Sequence, residues 1–211
     1  MSKQMSFIEG VEDPKEPKHR DWTGNKYSVY QTLGARNLAK EEREENDFYA
    51  TSPEATKWLM KIEELDPEIW ECACGMGHIA LPLICAGYNV NCTDLVQRGF
   101  GVGGIDFLKT NKPWNGDIVT NPPYKYAQEF VEHALELIPD GKKVCMFLKV
   151  QFLEGKRRRK LFERTPPKRV WISSSRIPCG KNGVFQPSAV AYAWFVWEKG
   201  YHGETVIKWF N

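Results

Sequence analysis

The sequence predicts an α/β fold in which helices cover both faces of a mostly parallel sheet. Short apolar runs of strand length alternate along the chain with segments in which apolar residues recur at helical spacing. The predicted strands are 69–74, 89–93, 117–120, 143–150, 170–174 and 189–197, and the predicted helices are 53–65, 78–86 and 126–138. This alternation favours parallel strands, because a crossover helix returns the chain to the same end of the sheet.

The first predicted helix has a start signal as well as a periodic apolar face. Ser52 can cap it, Pro53 suits its first turn, and Trp58, Leu59 and Ile62 recur at helical spacing. The helix over 126–138 is predicted in the same way, because its apolar residues fall on one side. These two helices frame the strands that carry the motifs described below.

Composition sets limits on the kind of protein. The 211 residues are 42% hydrophobic, which suits one domain with a substantial core. The formal net charge is only +2, so binding to a polyanion would need a local basic patch. Residues 1–46 are rich in charge and show little periodicity, so we expect a loosely attached arm followed by a folded domain over 47–211.

The cysteines and histidines do not form a metal-binding pattern. The 6 cysteines include no C-x-x-C pair, and the closest two are Cys72 and Cys74. We therefore expect no metal site, and free thiols in a reducing cytoplasm. No apolar run approaches the ~20 residues that a membrane span requires, and the first residues lack the apolar core of a signal peptide.

A glycine turn follows the first predicted strand and opens a helix. Glu71 is followed by Gly75 and Gly77, and glycines at such a turn let the backbone approach a ligand closely. The spacing is G-x-G without the third glycine of the dinucleotide motif. An ordinary turn between a strand and a helix is the alternative interpretation.

Two aspartates follow later strands of the same predicted sheet. Asp94 ends the second strand, where ligands bind in such sheets, and its carboxylate can accept hydrogen bonds from both hydroxyls of a ribose. Asp106 would end a short third strand and could accept from an adenine amino group, with Phe107 beside the ring. Each aspartate alone would suit a turn or a cap, but together with the glycines they outline a nucleoside-shaped site.

The most informative tetrapeptide runs from Asn121 to Tyr124. Its two prolines fix the backbone and remove two N–H donors, which leaves the Pro122 carbonyl as an acceptor beside the Asn121 side-chain oxygen. Two converging acceptors suit an amino group and would draw its nitrogen toward a tetrahedral geometry. Tyr124 offers a flat face on which a base can stack. Catalysis here would depend on positioning and electrostatics.

These residues resemble amino-methyltransferases that carry an N-P-P-Y motif, and specifically the small adenine-N6 DNA methyltransferases of phages and prophages. The resemblance runs from about residue 46 to residue 211 and includes 152–156 and 191–199. It implies a Rossmann-like, seven-stranded sheet of the class I S-adenosylmethionine-dependent type, whose last strand, 189–197, is antiparallel. The folded domain would then be a methyltransferase domain without a separate target-recognition domain.

The resemblance also implies S-adenosyl-L-methionine as the cofactor and DNA as the partner. A Phe-Tyr-x-Thr-Pro element lines the cofactor pocket in the family, and Phe48 to Pro53 match it with one extra residue before the proline. The implied cofactor-binding residues are Tyr49, Thr51, Glu71, Gly75, Gly77, Asp94, Asp106 and Phe107, and the implied catalytic residues are Asn121, Pro122, Pro123 and Tyr124. Such an enzyme must flip its target adenine out of the duplex.

A basic run lies just beyond the predicted strand 143–150, near the expected active-site edge. It comprises Lys156, Arg157, Arg158, Arg159 and Lys160, and Lys168, Arg169, Arg176 and Lys181 follow. We expect salt-dependent contacts with DNA phosphates, and a solvated helix face is the alternative. Because no long insertion interrupts the motifs, specificity should come from 155–183 or from the amino-terminal arm, with a short or relaxed target sequence.

Several alternatives stay open at this point. The same motif serves enzymes that methylate cytosine at its exocyclic amine, adenine in structured RNA, or a glutamine amide in a protein. A non-catalytic methyltransferase-like subunit is a further alternative. Among the remaining aromatic residues, Trp194, Phe195 and Trp197 are expected in the core, whereas Tyr192 and Phe185 are weaker candidates for the base pocket.

Overall fold

The computed structural model describes residues 49–181, 184–186 and 190–211, which lie in one compact unit. The predicted amino-terminal arm, 1–46, lies outside the described residues. No helix in the described part of the chain is long and apolar enough to cross a membrane.

The secondary structure alternates between strands and helices through most of the chain. The strands are β1 (Tyr49–Thr51), β2 (Glu68–Glu71), β3 (Asn89–Cys92), β4 (Asp117–Thr120), β5 (Lys143–Lys149), β6 (Arg169–Ser173), β7 (Cys179–Lys181), β8 (Val184–Gln186), β9 (Tyr192–Glu198) and β10 (Val206–Phe210). The α-helices are α1 (Pro53–Ile62), α2 (Ala80–Cys85), α3 (Ala127–Leu137) and α4 (Arg159–Arg164). Short 3-10 helices cover Phe107–Lys109, Tyr124–Tyr126 and Val150–Leu153.

The main sheet has seven strands in the order β10-β6-β9-β5-β4-β2-β3. Strand β9 is antiparallel to both of its neighbours, β5 and β6, whereas all other pairs are parallel. The predicted α/β class, the seven strands and the antiparallel strand near the carboxyl terminus are therefore confirmed. The antiparallel strand is not the last one, because β10 follows it and forms an edge beside β6.

The predicted short third strand before Asp106 is absent from the sheet. That segment makes a single bridge, from Thr93 to Val102, and then turns into the 3-10 helix Phe107–Lys109. Its glycines, among them Gly101 and Gly104 with positive φ, disfavour a regular strand. Edge strand β10 supplies the seventh strand instead.

A second, three-stranded sheet has the order β1-β7-β8. Both pairs are antiparallel, with Thr51 opposite Cys179 and Ala50 opposite Gly180 in the first. The sequence did not predict these strands, because each has only 3 residues and shows no apolar alternation. Helix α4 begins within the basic run, for which a solvated helix face was the alternative interpretation.

Helices pack on both faces of the main sheet, as the sequence predicts. Helix α3 covers one face, where Phe130 and Val131 join Phe195 and Trp197. Helices α1 and α2 cover the other face, where Leu59 and Leu83 meet residues that include Trp194. The three expected core aromatics are at most 1% exposed, which confirms their assignment to the core.

Strands β2 to β5 run parallel, so their last residues lie at one edge of the sheet, which we call the carboxyl edge. Glu71, Cys92, Thr120 and Lys149 end these strands. Their first residues lie at the opposite, amino edge. The glycine turn, Asp94 and Asn121 follow β2, β3 and β4 and therefore lie at the carboxyl edge.

Candidate active site

The glycine turn is held by hydrogen bonds to the loop after β3. The Cys74 N–H donates to the Thr93 carbonyl over 3.0 Å, and the Gly75 N–H donates to Asp94 Oδ2 over 2.8 Å. Gly77 adopts φ +82°, and a Cβ on it would lie 2.7 Å from the Phe100 ring. Only glycine combines this conformation with this contact, so the turn presents bare backbone at the carboxyl edge.

Asp94 orders the turn on which the cofactor site would be built. It is 8% exposed, and besides Gly75 it accepts from the Val96 N–H through Oδ1 over 2.8 Å. Each carboxylate oxygen can accept more than one hydrogen bond, so both contacts leave acceptor capacity for ribose hydroxyls. Asp94 therefore joins the end of β3 to the glycine turn.

Asp106 and Phe107 lie at the start of a short 3-10 helix. Asp106 caps the 3-10 helix by accepting from the Leu108 N–H and pairs with Lys109. Phe107 is 2% exposed, and its ring packs 4.9 Å from Phe130 and 5.3 Å from Trp70, between centroids. This packing makes Phe107 a core residue, which corrects the expectation that its ring flanks the adenine.

Glu71 is a buried carboxyl group at the end of β2. Its side chain is 1% exposed, and neither carboxyl oxygen accepts a hydrogen bond from a described residue in normal geometry. Burial raises the pKa of Glu71 to about 8, while the nearby Thr120 hydroxyl and Ala73 N–H lower it and the Asp94 carboxylate raises it. A buried, unpaired carboxyl group is costly, so this position suits a ligand that brings a positive charge or donors.

Thr120 and Asn121 bring the catalytic motif to the same edge. Thr120 ends β4 beside β2, and its side chain is fully buried next to Glu71. Asn121 follows directly, and its Nδ2 donates to Thr51 Oγ1 over 2.9 Å. The resemblance implies that Thr51 lines the cofactor pocket, whereas in the structure its hydroxyl contacts Asn121.

The prolines of the motif differ in burial. Pro122 is buried and Pro123 is exposed. The Pro123 carbonyl accepts from the Tyr126 N–H over 2.9 Å, which closes the turn into the 3-10 helix Tyr124–Tyr126. The turn therefore fixes the backbone between Asn121 and Tyr124, as the two prolines predict.

Tyr124 borders a cavity of about 150 Å³. The cavity is lined by Tyr124, Ala127, Leu148, Lys149, Gln151, Phe152 and Arg158. The Lys149 ammonium lies 4.9 Å from the centroid of the Tyr124 ring, and the Tyr192 ring centroid lies 6.4 Å away. Tyr192, the weaker candidate for the base pocket, is thus a neighbour of Tyr124. The side chains of Phe185 and Tyr49 lie outside the described part of the chain.

Lys149 and Gln151 were missed by sequence reasoning. Both line the cavity beside Tyr124. The available signal was the position of Lys149 at the end of the strongly apolar strand β5, where four parallel strands end at one edge. A polar residue at such a strand end is a candidate for a ligand contact.

The basic run begins at this cavity and continues into α4. Lys156, Arg157, Arg159 and Lys160 are exposed, and Arg159 pairs with Glu163. Arg158 differs, because its Nε donates to the Phe152 carbonyl over 2.7 Å and its Nη2 donates to the Glu154 carbonyl. Arg158 therefore fixes the turn that carries the run, and the other four side chains face solvent.

Two further basic residues lie at the other edge of the sheet. Lys168 pairs with Glu198, and Arg169 pairs with the buried Glu63. Both stand at the amino end of β6, so they do not extend the basic run toward Tyr124. The expectation that they reinforce it is corrected: their charges are used in structural ion pairs.

Solved structures resemble this chain in fold. A protein assigned as an RNA methyltransferase from Pyrococcus horikoshii gives a TM-score of 0.52 at 13% identity, over 69% of this chain and 81% of that chain. A modification subunit assigned to a type I restriction enzyme of Vibrio vulnificus gives 0.55 at 12% identity, over 84% of this chain and 49% of that chain. A protein assigned as an O-methyltransferase from Agrobacterium tumefaciens gives 0.52 at 12% identity, over 74% and 85%.

At these identities the likeness establishes the fold alone, a Rossmann-like α/β sheet that this chain shares with proteins assigned as methyltransferases. The chain spans about half the length of the restriction subunit. No protein-family model matches the sequence, and a comparison with curated proteins gives no match. The three structural relatives carry different substrate assignments, so the fold does not distinguish among target molecules.

Proposed function

We propose that this chain is an S-adenosylmethionine-dependent methyltransferase that methylates the exocyclic N6 amine of adenine in DNA. The observation that carries the proposal is the position of Asn121. It directly follows Thr120, the last residue of β4, whose hydroxyl lies near Glu71, and its Nδ2 donates a hydrogen bond to Thr51. The Asn121–Tyr124 motif and the glycine turn would thus belong to one site.

The residues at this edge fit the cofactor. Glu71 would offer two buried carboxyl oxygens to the cationic end of S-adenosylmethionine, and the absence of a side chain at Gly77 lets the turn pack against Phe100 and present its backbone to a ligand. Asp94 would accept from the ribose hydroxyls, and Asp106 from the adenine amino group. When bound, the cofactor supplies a sulfonium methyl group, whose transfer forms a carbon–nitrogen bond on the target amine, leaves S-adenosylhomocysteine and releases one proton.

The catalytic motif would hold the target amine. Asn121 Oδ1 and the Pro122 carbonyl would each accept one hydrogen from the NH₂ group, so that its lone pair is directed at the methyl carbon. Tyr124 would stack on the base, which enters beside the cavity that Lys149 and Gln151 line. No general base is needed within this site, because the proton can leave to solvent after transfer.

Four exposed basic residues would hold the DNA backbone next to this pocket. Lys156, Arg157, Arg159 and Lys160 would contact phosphates, while Arg158, which lines the cavity with Tyr124, holds their turn in place. An adenine inside a duplex cannot reach Asn121, so the base would be flipped out of the stack. Adenine in DNA is favoured over the other amines by the resemblance to phage enzymes.

The domain organisation is part of the proposal. Residues 47–211 would form the methyltransferase domain, preceded by a loosely attached arm over 1–46. Recognition of the target sequence would come from 155–183 or from the arm, so we expect a short or relaxed target. A long, strict recognition sequence found by methylation mapping would contradict this part.

The direct test uses tritiated cofactor with DNA, RNA or protein as acceptor, followed by nucleoside analysis. The proposal expects label in N6-methyladenine from DNA. Label in N4-methylcytosine, in RNA or in protein would show that the chain is a methyltransferase with a different target. Asn121→Ala should abolish transfer while its affinity for S-adenosylhomocysteine, measured by calorimetry, stays within twofold of wild type. No transfer to any acceptor would support a non-catalytic subunit.

A further inference from the structure

The hydroxyl of Thr51 contacts the side chain on which the proposed reaction depends. Asn121 Nδ2 donates to Thr51 Oγ1 over 2.9 Å, across a separation of 70 residues in sequence. Thr51 is 2% exposed, so water does not compete freely for this bond. The bond therefore links the segment before α1 to the end of β4.

We propose that Thr51 is a positioning residue for Asn121. This inference rests on the proposed function, and it assigns Thr51 a role other than lining the cofactor pocket. The nitrogen and the oxygen of a carboxamide have nearly the same shape, so packing alone cannot choose between its two orientations. In one orientation the Asn121 oxygen faces the target amine and can accept its hydrogen. In the other orientation the Asn121 NH₂ group faces that amine, and no such hydrogen bond forms.

In the structure the hydrogen bond holds the carboxamide in the productive orientation. With Nδ2 bonded to Thr51, Oδ1 lies on the other branch of the amide, where it would be the acceptor that the amine requires. A hydroxyl oxygen is a suitable partner, since it can accept from Nδ2 while its own hydrogen points elsewhere. The contact thus acts on the reaction through Asn121 and does not need to touch the substrate.

Thr51 is itself held in place by two features of the fold. Its β-branched side chain has few rotamers, and its backbone lies in β1, opposite Cys179 of β7. Strand β7 lies within 155–183, the region from which sequence recognition is expected, and pairs in turn with β8. The small sheet therefore connects that region to the orientation of Asn121 through β1.

Thr51→Val tests this role, because valine keeps the shape of threonine and removes the acceptor. The rate constant for a single turnover, at saturating cofactor and DNA, should fall about tenfold or more. The dissociation constant for S-adenosylhomocysteine, measured by calorimetry, should stay within twofold of wild type. Thr51→Ser restores the hydroxyl and should recover most of the rate. Thr51→Ala should show the same loss as Thr51→Val, and thermal unfolding checks that each variant is folded.

Two results would overturn the inference. A wild-type rate in Thr51→Val and in Thr51→Ala would show that Asn121 does not need the hydroxyl. Weaker binding of S-adenosylhomocysteine with an unchanged single-turnover rate would show that Thr51 contributes to cofactor binding and does not position Asn121. Failure of the proposed function is a separate outcome, because wild-type protein would then transfer no methyl group to DNA in the same assay.

Discussion

The two edges of the main sheet treat their buried carboxyl groups in opposite ways. At the amino edge, Glu63 is 5% exposed and is bonded by Arg169 through two nitrogens and by Trp171 Nε1. At the carboxyl edge, Glu71 is 1% exposed, and within the described chain no donor bonds to it in normal geometry. Glu63 therefore has charged and polar partners at one edge, whereas, among the described residues, Glu71 has no hydrogen-bond donor in normal geometry at the other.

The pKa values of the two glutamates follow this difference. Burial would raise the pKa of Glu63, but hydrogen bonds from Arg169 and Trp171 and the charges of Arg169 and Lys143 bring it below its usual value. Burial raises the pKa of Glu71 to about 8. Asp117 is an intermediate case at the amino edge, since burial raises its pKa although the N–H groups of Asp66 and Lys143 bond to it.

The comparison separates stability from function. A buried carboxylate with all its partners supports the fold, whereas a buried carboxyl group without partners costs stability and is retained where a ligand supplies the missing interactions. Under the proposed function, the paired carboxylate at the amino edge stabilises the sheet and the unpaired one at the carboxyl edge would bind the cofactor. Variants at the two edges should therefore affect different measurements.

The largest effect is expected at the amino edge. Arg169→Leu removes the main partner of Glu63 and should lower the free energy of unfolding by about 3 kcal/mol, because a buried carboxylate is left largely uncompensated. Urea denaturation measures this loss. Lys168→Leu is the matched control, since it breaks a more exposed pair with Glu198 and should cost about 1 kcal/mol or less. Equal losses in the two variants would remove the special role of Glu63.

A smaller effect is expected at the glycine turn. Gly77→Ala forces φ +82° on a residue with a Cβ and places that Cβ against Phe100, so it should cost about 2 kcal/mol and weaken binding of S-adenosylhomocysteine. Gly87→Ala is the control, because Gly87 has φ +94° with no atom within 4 Å of a Cβ. It should lose stability and keep wild-type affinity. Equal affinity losses would show that the turn has no specific role in binding.

The pH dependence of the two edges should have opposite signs. Because the folded pKa of Glu63 is lowered, its stabilising contribution is present above the unfolded value of 4.5 and is lost as pH falls through the folded pKa. Because the folded pKa of Glu71 is raised, its contribution is present below 4.5 and is lost as pH rises toward about 8. Glu71→Gln should therefore flatten the fall in stability between pH 5 and about 8 without changing acid unfolding.

Glu71→Gln also tests whether the unpaired carboxyl group serves a ligand. Affinity for S-adenosylhomocysteine should fall roughly tenfold, the usual value of a hydrogen bond to a charged group. At pH 7 the wild-type protein should release a proton on binding, seen as a dependence of the calorimetric enthalpy on the buffer. Wild-type affinity in the variant, with no proton release in the wild type, would place the cofactor away from Glu71.

The smallest effect concerns the basic run. Arg157→Glu and Lys160→Glu should each weaken DNA binding and reduce the slope of log affinity against log salt by about 1, with cofactor affinity unchanged. Lys112 is an exposed residue before the amino end of β4, and Lys112→Glu should change neither the affinity for DNA nor its salt dependence. A wild-type slope in both variants would leave the run as a solvated surface.

The sequence predicts what depends on local pattern and chain direction. The apolar runs ending in Glu71, Asp94 and Asn121 predict that all three lie at one edge, because parallel strands end together. Side-chain directions are not encoded in this way. Phe107 is buried by rings from distant segments, and Arg169 is drawn to Glu63, which lies 106 positions earlier.

Other features were hidden because their partners are far apart or their pattern is weak. The bond between Thr51 and Asn121 joins residues 70 positions apart, so no local spacing reveals it. Edge strand β10 was missed because its sequence, Val-Ile-Lys-Trp-Phe, does not alternate regularly between apolar and polar residues, and four of the five side chains are exposed. Arg158 resembles its basic neighbours in sequence and differs only through its bonds to local carbonyls.

Nucleoside analysis of DNA from cells that express this chain tests the central claim most directly. The carboxyl edge, with Asn121 at its centre, should produce N6-methyladenine in cells that carry the wild-type chain. The level should return to that of control cells with Asn121→Ala, at equal amounts of folded protein. N6-methyladenine at the same level in both, or in neither, would contradict the assignment of this edge as an adenine methylation site.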